Sequence, residues 1–330
     1  MRKYCYITNI SKYNFYDIYI AELSLLFDEE GHTIDITTAD SKEWGNPSPL
    51  VVLTSEVFPL PNKLKMKWVA ISENKKYDIS MPLDRPKGEL LWEKQKLTFP
   101  EDPFRKYIVG IGPYGGVAIW LCNNNRSVLV QWLQAKGEIA LRDNDAFFSN
   151  EMESFKKVGM TPERLQSNMR QYQYRFVPLE EFFDGQQWQR YANEDKLYED
   201  IALDSVEVKR LDGTFDYTGN DNILQFHEAG KPLRIMVRWH ENNDSFFAHF
   251  WLDEAVVTSV FDSFFKDFPE ANADLLLRID TVANKYEVAL SCEGQPARVI
   301  DNTQYLVSRN FMEVSRSDNY SKKDGEWRWM

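Results

Sequence analysis

The chain reads as an α+β fold: two tandem ββαββ-type units with antiparallel sheets, each covered by a helix, plus a helical insertion between them. Three observations predict it. First, the pattern of residues 64–121 returns at 233–290, an offset of 169 positions, with Leu64/Leu233, Asn74/Asn243, Leu83-Asp84/Leu252-Asp253, Phe99-Pro100-Glu101/Phe268-Pro269-Glu270 and Leu121/Leu290 identical. Second, alternating apolar runs flank polar turns in both copies, as half-buried antiparallel strands do. Third, an Asp opens a helix-like stretch in each copy and Phe-Pro-Glu closes it, which pairs an N-cap with a stop. The same elements in the same order at a fixed offset are the mark of a duplicated unit.

Residues 13–39 come first and read as a hairpin. Tyr13 to Phe27 is rich in β-formers, Asp28-Glu29-Glu30-Gly31 is a turn cluster, and His32 to Thr38 alternates. Ser41 to Leu50 has the Gly, Asn and Pro content of a connection. In the first copy Leu64, Met66, Trp68 and Ala70 share one strand face and Lys63, Lys65 and Lys67 the other, and Tyr77, Ile79 and Met81 resume the alternation. Asp84 caps a helix through Trp92 and Leu97, and residues 107–121 form a hairpin about a Gly-rich turn. The second copy repeats this. Leu233, Ile235 and Val237 pair across a turn with Phe246, Ala248 and Phe250, and Asp253 caps a helix whose Val257, Val260, Phe261, Phe264 and Phe268 form an apolar stripe. Leu275 to Ile279 and Tyr286 to Leu290 form the closing hairpin, and a last strand covers about Gln304 to Val314. Between the copies, Asp145 to Val158, the stretch opened by Thr161-Pro162-Glu163, and Pro178 to Leu197 carry helix-start signals. The expected divisions are therefore 1–132 (first copy 61–132), a helical connector at 133–230, and 231–330.

Composition bounds the function. A formal charge of -12 and a pI near 5.0 disfavour a chain that neutralises nucleic-acid phosphates, which needs clustered Lys and Arg. They suit a partner of the opposite sign. Three cysteines, Cys5, Cys122 and Cys292, lack metal or redox spacing, so a reducing compartment is expected. Met1-Arg2-Lys3 is followed by no apolar leader stretch, and no run is long enough for a spanning helix.

No motif assembles catalytic chemistry. Gly110-x-Gly112-x-x-Gly115 matches the dinucleotide-binding string, yet Val117 to Leu121 is a strand pattern where a helix would have to present its amides to phosphate. A hairpin turn at Pro113-Tyr114-Gly115-Gly116 is the expectation. For the hairpin at 233–252, the register implied by the pattern sets His240 opposite Phe246 and His249 opposite Val237, on opposite faces. No catalytic set, cofactor or metal site is expected. The residues offered for partner contact are those of the polar, acidic turns: Asp28, Glu29, Glu30, Glu241, Asn242, Asn243 and Asp244.

Leu60-Pro61, Leu64-x-Met66-x-Trp68, Ser72-Glu73 and Tyr77, with Val109-Gly110-Ile111-Gly112-Pro113-Tyr114-Gly115-Gly116 and Ile119-Trp120-Leu121, resemble the bacterial domain-of-unknown-function family 2931. Gln304-Tyr305-x-Val307, Phe311-x-Glu313, Arg316-Ser317-x-Asn319-Tyr320 and Trp327-x-Trp329 resemble that family's ending, so the resemblance spans roughly 50–330. Its members are often lipoproteins of Gram-negative bacteria, with genes beside those of interbacterial toxins. The resemblance thus implies a non-catalytic, antitoxin-like immunity protein. Such a protein occludes the active site of a cognate toxin, such as a type VI secretion effector, and the acidic balance suits a basic, nuclease-like one. A small-ligand-binding protein or enzyme using the cleft between the copies is the alternative. The chain departs from the lipoprotein pattern in lacking an apolar leader and a lipid-accepting cysteine. A cytoplasmic setting is therefore expected, or a periplasmic one if a leader has been removed.

Overall fold

A computed structural model describes residues 2–13, 16–26, 33–35, 44–45, 57–139, 153, 155–183, 187–190, 201–218, 224–241, 244–280, 285–293, 295–310, 312–316, 320–323 and 326–329. The fold mixes α and β, with mostly antiparallel sheets and few helices. The chain divides into two units, Met1–Met169 with Asp212–Thr214, and Arg170–Leu211 with Phe215–Met330.

The first unit holds β1 (Ile7–Lys12), β2 (Ile18–Leu26), β3 (Thr33–Asp35), β4 (Lys63–Ala70), β5 (Lys75–Pro82), α1 (Arg85–Thr98), β6 (Lys106–Ile111), β7 (Gly116–Cys122), β8 (Ser127–Gln134), β9 (Gly137–Ile139) and α2 (Pro162–Asn168). One sheet runs β3-β2-β4-β5-β9 and the other β1-β6-β7-β8. The alternation in β4 acts as its chemistry dictates: Leu64, Met66, Trp68 and Ala70 are buried, and the lysines lie on the other side. The Asp84 side chain accepts from the Lys87 N–H at 3.0 Å and starts α1, which stops before Pro100. Between β6 and β7 the chain turns at Pro113–Gly115, where Gly115 takes φ +76°. Gly110 serves a different need. A Cβ there would fall 2.1 Å from Trp120 Cζ3, so the missing side chain lets Trp120 lie across β6.

The second unit holds β10 (Gln171–Phe183), β11 (Gln187–Arg190), β12 (Ile201–Arg210), β13 (Phe215–Thr218), β14 (His227–Gly230), β15 (Pro232–Glu241), β16 (Asp244–Trp251), α3 (Glu254–Asp267), β17 (Ala273–Asp280), β18 (Lys285–Ser291), β19 (Arg298–Val299), β20 (Gln304–Arg309), β21 (Met312–Arg316), β22 (Tyr320–Lys323) and β23 (Glu326–Trp329). One sheet runs β11-β10-β17-β18-β19 with β14 also on β10, another runs β13-β12-β15-β16-β20-β21, and β22 pairs with β23. Asp253 accepts from the N–H groups of Ala255 and Val256. The stripe of α3 is buried at Val257, Phe261 and Phe264.

Among the described residues each unit has one parallel pair, β1 with β6 and β10 with β17, and both pairs span a sequence separation of 99 residues (Ile7 to Lys106, Tyr174 to Ala273).

Several expectations are corrected. The stretch 133–230 is not mainly helical in its described residues, which leave out 145–152 and 154 of the expected helix Asp145 to Val158. Its described residues are helical at 155–158 and in α2, which Thr161 caps as its sequence predicts, and from Gln171 onward they are mainly strand. Pro178 misleads as a helix start because it lies where β10 slips register, between Val177 and Glu180. A bulge is one of the few places a sheet accepts a proline. The last strand is a hairpin, since Asn310 takes φ +46° and turns β20 into β21. Leu233 is 39% exposed, although its aligned partner Leu64 is buried.

Phe261 is fully buried and meets the rings of Tyr172 and Tyr174, each at 5.6 Å. Truncation to Ala forfeits its transfer energy and leaves a cavity, so Phe261→Ala is expected to lose about 3–5 kcal/mol in urea unfolding. Leu97→Ala on α1, at a site 83% exposed, should stay within about 0.5 kcal/mol of the parent.

Candidate functional site

The turns offered for partner contact meet different fates. Asp28, Glu29, Glu30, Asn242 and Asn243 lie outside the described residues, as does the His32 imidazole. Glu241 is placed by its backbone as the last β15 residue, opposite Asp244. Asp244 is not a free acid. Its Oδ2 accepts from Arg309 Nη2, and its Oδ1 accepts from Asn310 Nδ2 at 2.5 Å. The bond from Arg309, then that from Asn310, holds the carboxyl below the usual carboxylate range. Asn310 also exchanges backbone bonds with the neighbouring hairpin: its Oδ1 accepts from the Ser245 N–H at 2.9 Å and its N–H donates to Ser245 O at 2.7 Å. The start of β16 is thus stapled to the end of β20 and Asn310 as one rim, and Met312 stands 70% exposed just beyond it. Sequence reasoning missed Arg309, Asn310 and Met312. The signal was Asn310 itself, a turn residue inside a run read as continuous strand.

In the interior of the second unit, charged groups meet their opposites. Arg210 Nη2 lies 2.6 Å from Asp216 Oδ2, and Arg210 Nε donates at 2.9 Å to the Tyr174 hydroxyl, which itself donates to Gly230 O at 2.6 Å. His227 Nδ1 is 2.8 Å from Gln225 O. A carbonyl only accepts, so Nδ1 carries the proton and Nε2 faces Asp216 Oδ2 at 3.3 Å. Nearby, the wholly buried Lys231 amine lies 3.2 Å from Asp262 Oδ1. Arg170 also pairs with Asp262, at 3.7 Å, and the Tyr172 hydroxyl donates to it. Burial holds the Lys231 amine below its ordinary range, against the pull of Asp262. An amine lowered in this way is chemically poised for nucleophilic work. Here its side chain is 0% exposed and faces a carboxylate. The arrangement ties β14 and the segment after it to α3.

The first unit has its own polar knot. Glu73 Oε1 accepts from the Tyr16 hydroxyl and the Tyr114 N–H, both at 2.6 Å, and Oε2 accepts from the Tyr77 hydroxyl at 2.5 Å. Burial first, and the Glu73 charge with it, push both phenols above their ordinary range. Tyr114 takes φ +54°, and its hydroxyl donates to Met160 O at 2.6 Å. Glu73 and Tyr77 therefore meet the Gly-rich turn in space. The residues that looked like a phosphate loop form a carboxylate-clamped hairpin turn.

The histidines of β15 and β16 are also corrected. The strands pair one position away from the expected register, His240 with Ser245 and His249 with Met236, so both imidazoles lie on the same face. His240 Nδ1 is 3.0 Å from Asp204 Oδ1. His249 lies against Trp251, ring centroids 3.6 Å apart. Burial, then Arg234 and Lys209, pull His249 down to about 3. Among the described residues no group of three His, Cys, Asp or Glu could hold a metal ion, and no helix is long and apolar enough to cross a membrane.

The family model "Protein of unknown function (DUF2931)" matches residues 6–176, just over half of the chain. The chain belongs to that family. The DUF2931 match takes in Ser72, Glu73, Tyr77 and the turn at Tyr114, and stops within β10. The C-terminal motifs from Gln304 onward fall outside it. No curated protein and no solved structure matches the chain.

Replacing Glu73 by Gln keeps the shape but substitutes an amide donor for one of two acceptor oxygens, leaving a buried donor unmatched. Glu73→Gln is expected to cost about 1–3 kcal/mol by urea unfolding. His249 makes a distinct prediction. Its folded value lies below the ordinary 6.5, so its contribution to stability is complete above pH 6.5 and is lost as pH falls toward 3. Between pH 6 and 4, unfolding free energy should fall less steeply in His249→Gln, by up to about 1.4 kcal/mol per pH unit.

Proposed function

We propose that this chain is a non-catalytic, antitoxin-like immunity protein that binds a cognate interbacterial toxin, such as a type VI secretion effector, and occludes its active site. The observation that carries this reading is the stapled rim at Asp244, Arg309 and Asn310. A strand end held in place by a neighbouring strand end loses little freedom when a partner docks, and preorganisation of this kind favours tight association. Met312 adds an exposed apolar contact beside it. The net charge of -12 suits capture of a basic enzyme, with encounter hastened by complementary fields. The polar interior favours a binding role over a catalytic one, because Glu73, Asp216 and Asp262 are each committed to groups that hold strands and helices together.

In the same reading the two units descend from one ββαββ ancestor. The shared 169-residue offset, the Asp-capped helices and the equal separations of the parallel pairs support this. The duplicated part is scaffold, and partner choice resides at the rim.

The test expresses each protein encoded beside the gene for this chain, alone and together with it. One neighbour should arrest growth alone, be rescued by the chain and co-purify with it; if none does, the reading fails. In a rescued pair, the charge swap Asp244→Arg with Arg309→Asp keeps an ion pair within the rim while exchanging its two charges. Affinity is expected to fall at least tenfold with thermal stability preserved, and unchanged affinity would remove the rim from the interface.

A further inference from the structure

The outward side of α1 carries apolar side chains that the core does not use. Leu90 and Leu97 stand 70% and 83% exposed, and among the described residues Met312 is the only other large apolar side chain exposed to this degree. Pro86, one turn before Leu90, is exposed as well, so the three fall in one stripe of the helical period. α3 supplies an internal comparison. The buried residues of α1 are Gly88, Trp92 and Gln95, those of α3 are Val257, Phe261 and Phe264, and each pair lies 169 positions apart. The two helices therefore turn the same side inward. At the outward positions matching Leu90 and Leu97, α3 has Ser259 and Lys266, both exposed. A helix with this cap and this buried side needs no leucine there, so the stripe on α1 serves something other than folding. Single exposed leucines are ordinary, but a stripe of them marks a contact surface.

The order of residues along the stripe says what fits it. Glu93 and Lys94 flank it midway between the two leucines. A second copy of α1 laid antiparallel, with the two-fold axis passing between Glu93 and Lys94, sets each Leu90 against Leu97 of the other copy. The same axis gathers two carboxylates and two ammonium groups around it, so charge is balanced where the copies meet. The patch is thus complementary to itself, as a two-fold contact requires. We propose that this chain forms a two-fold dimer through the outward side of α1, with the second copy covering Leu90 and Leu97. The 14 residues of α1 make a contact about 21 Å long. That is small for a permanent dimer, so monomer and dimer exchange. The inference is independent of the rim, none of whose residues enters this contact.

Sedimentation velocity of the full chain from about 1 µM to about 200 µM tests it. The average mass should climb with concentration from that of the 38.8 kDa chain toward twice that value. Leu90→Ser/Leu97→Lys, which gives α1 the residues that α3 carries, should stay monomeric throughout and keep the parent's circular dichroism. Glu93→Lys alone or Lys94→Glu alone leaves charges of one sign around the axis and should weaken association about tenfold or more. The two changes together should recover it. A monomer at every concentration overturns the proposal and leaves the stripe to a different occupant, and a dimer that survives the leucine changes overturns it as well. Should the leucine variant not fold, the charge series decides: association that ignores both single reversals, or is not recovered by the double change, overturns the dimer proposed.

Discussion

In each unit a parallel strand pair governs what the intervening chain can do. Antiparallel neighbours are joined by a tight turn, but parallel neighbours need a crossover. Between β1 and β6 that crossover carries β2 to β5 and α1, and between β10 and β17 it carries β12 to β16 and α3. The long connection is therefore most of the unit. Its hairpin joins a second sheet, and its helix packs an apolar side inward, at Trp92 in α1 and at Phe261 and Phe264 in α3. The Asp caps and Phe-Pro stops matter for the same reason: a helix in a crossover of fixed span has to begin and end in register with two strands.

Polar groups are used inside this frame as ties. A carboxylate such as Glu73 leaves water at a cost that only several donors offset, and it receives three. Lys231 is costlier to bury, and Asp262 alone does not restore its ordinary basicity. Breaking one partner of such a group does more harm than replacing both, because the survivor keeps its desolvation penalty without compensation. Residues of this kind look like catalytic material in a sequence. Their geometry commits them to holding strands against helices.

How much of this was legible varies by element for identifiable reasons. The strand β4 was plain because lysine and apolar residues alternate along it without interruption. β1 was not read as a strand, since it buries Asn9 and Ser11 and its partner β6 lies far away in the chain. β10 was mistaken for a helix start because Pro178 signals a break in any local pattern, and only the bulge shows that a strand absorbs it. At the rim, the acidic turn around Asp244 was visible and its neutralisation was not, because Arg309 sits 65 residues away.

By itself the sequence determined the alternation, the Asp caps, the proline stops and the repeat, all of which act over a few residues and need no distant partner. Membership in the DUF2931 family also belongs to the sequence. Tertiary structure alone decided the register of β15 against β16, and so the face on which His240 and His249 stand, because side chains alternate with a period of two and a slip of one position moves a residue to the other side. It likewise decided that Glu73 meets the turn at Tyr114 and that Asp244 meets Arg309. Those contacts join segments whose proximity depends on every intervening strand having found its place.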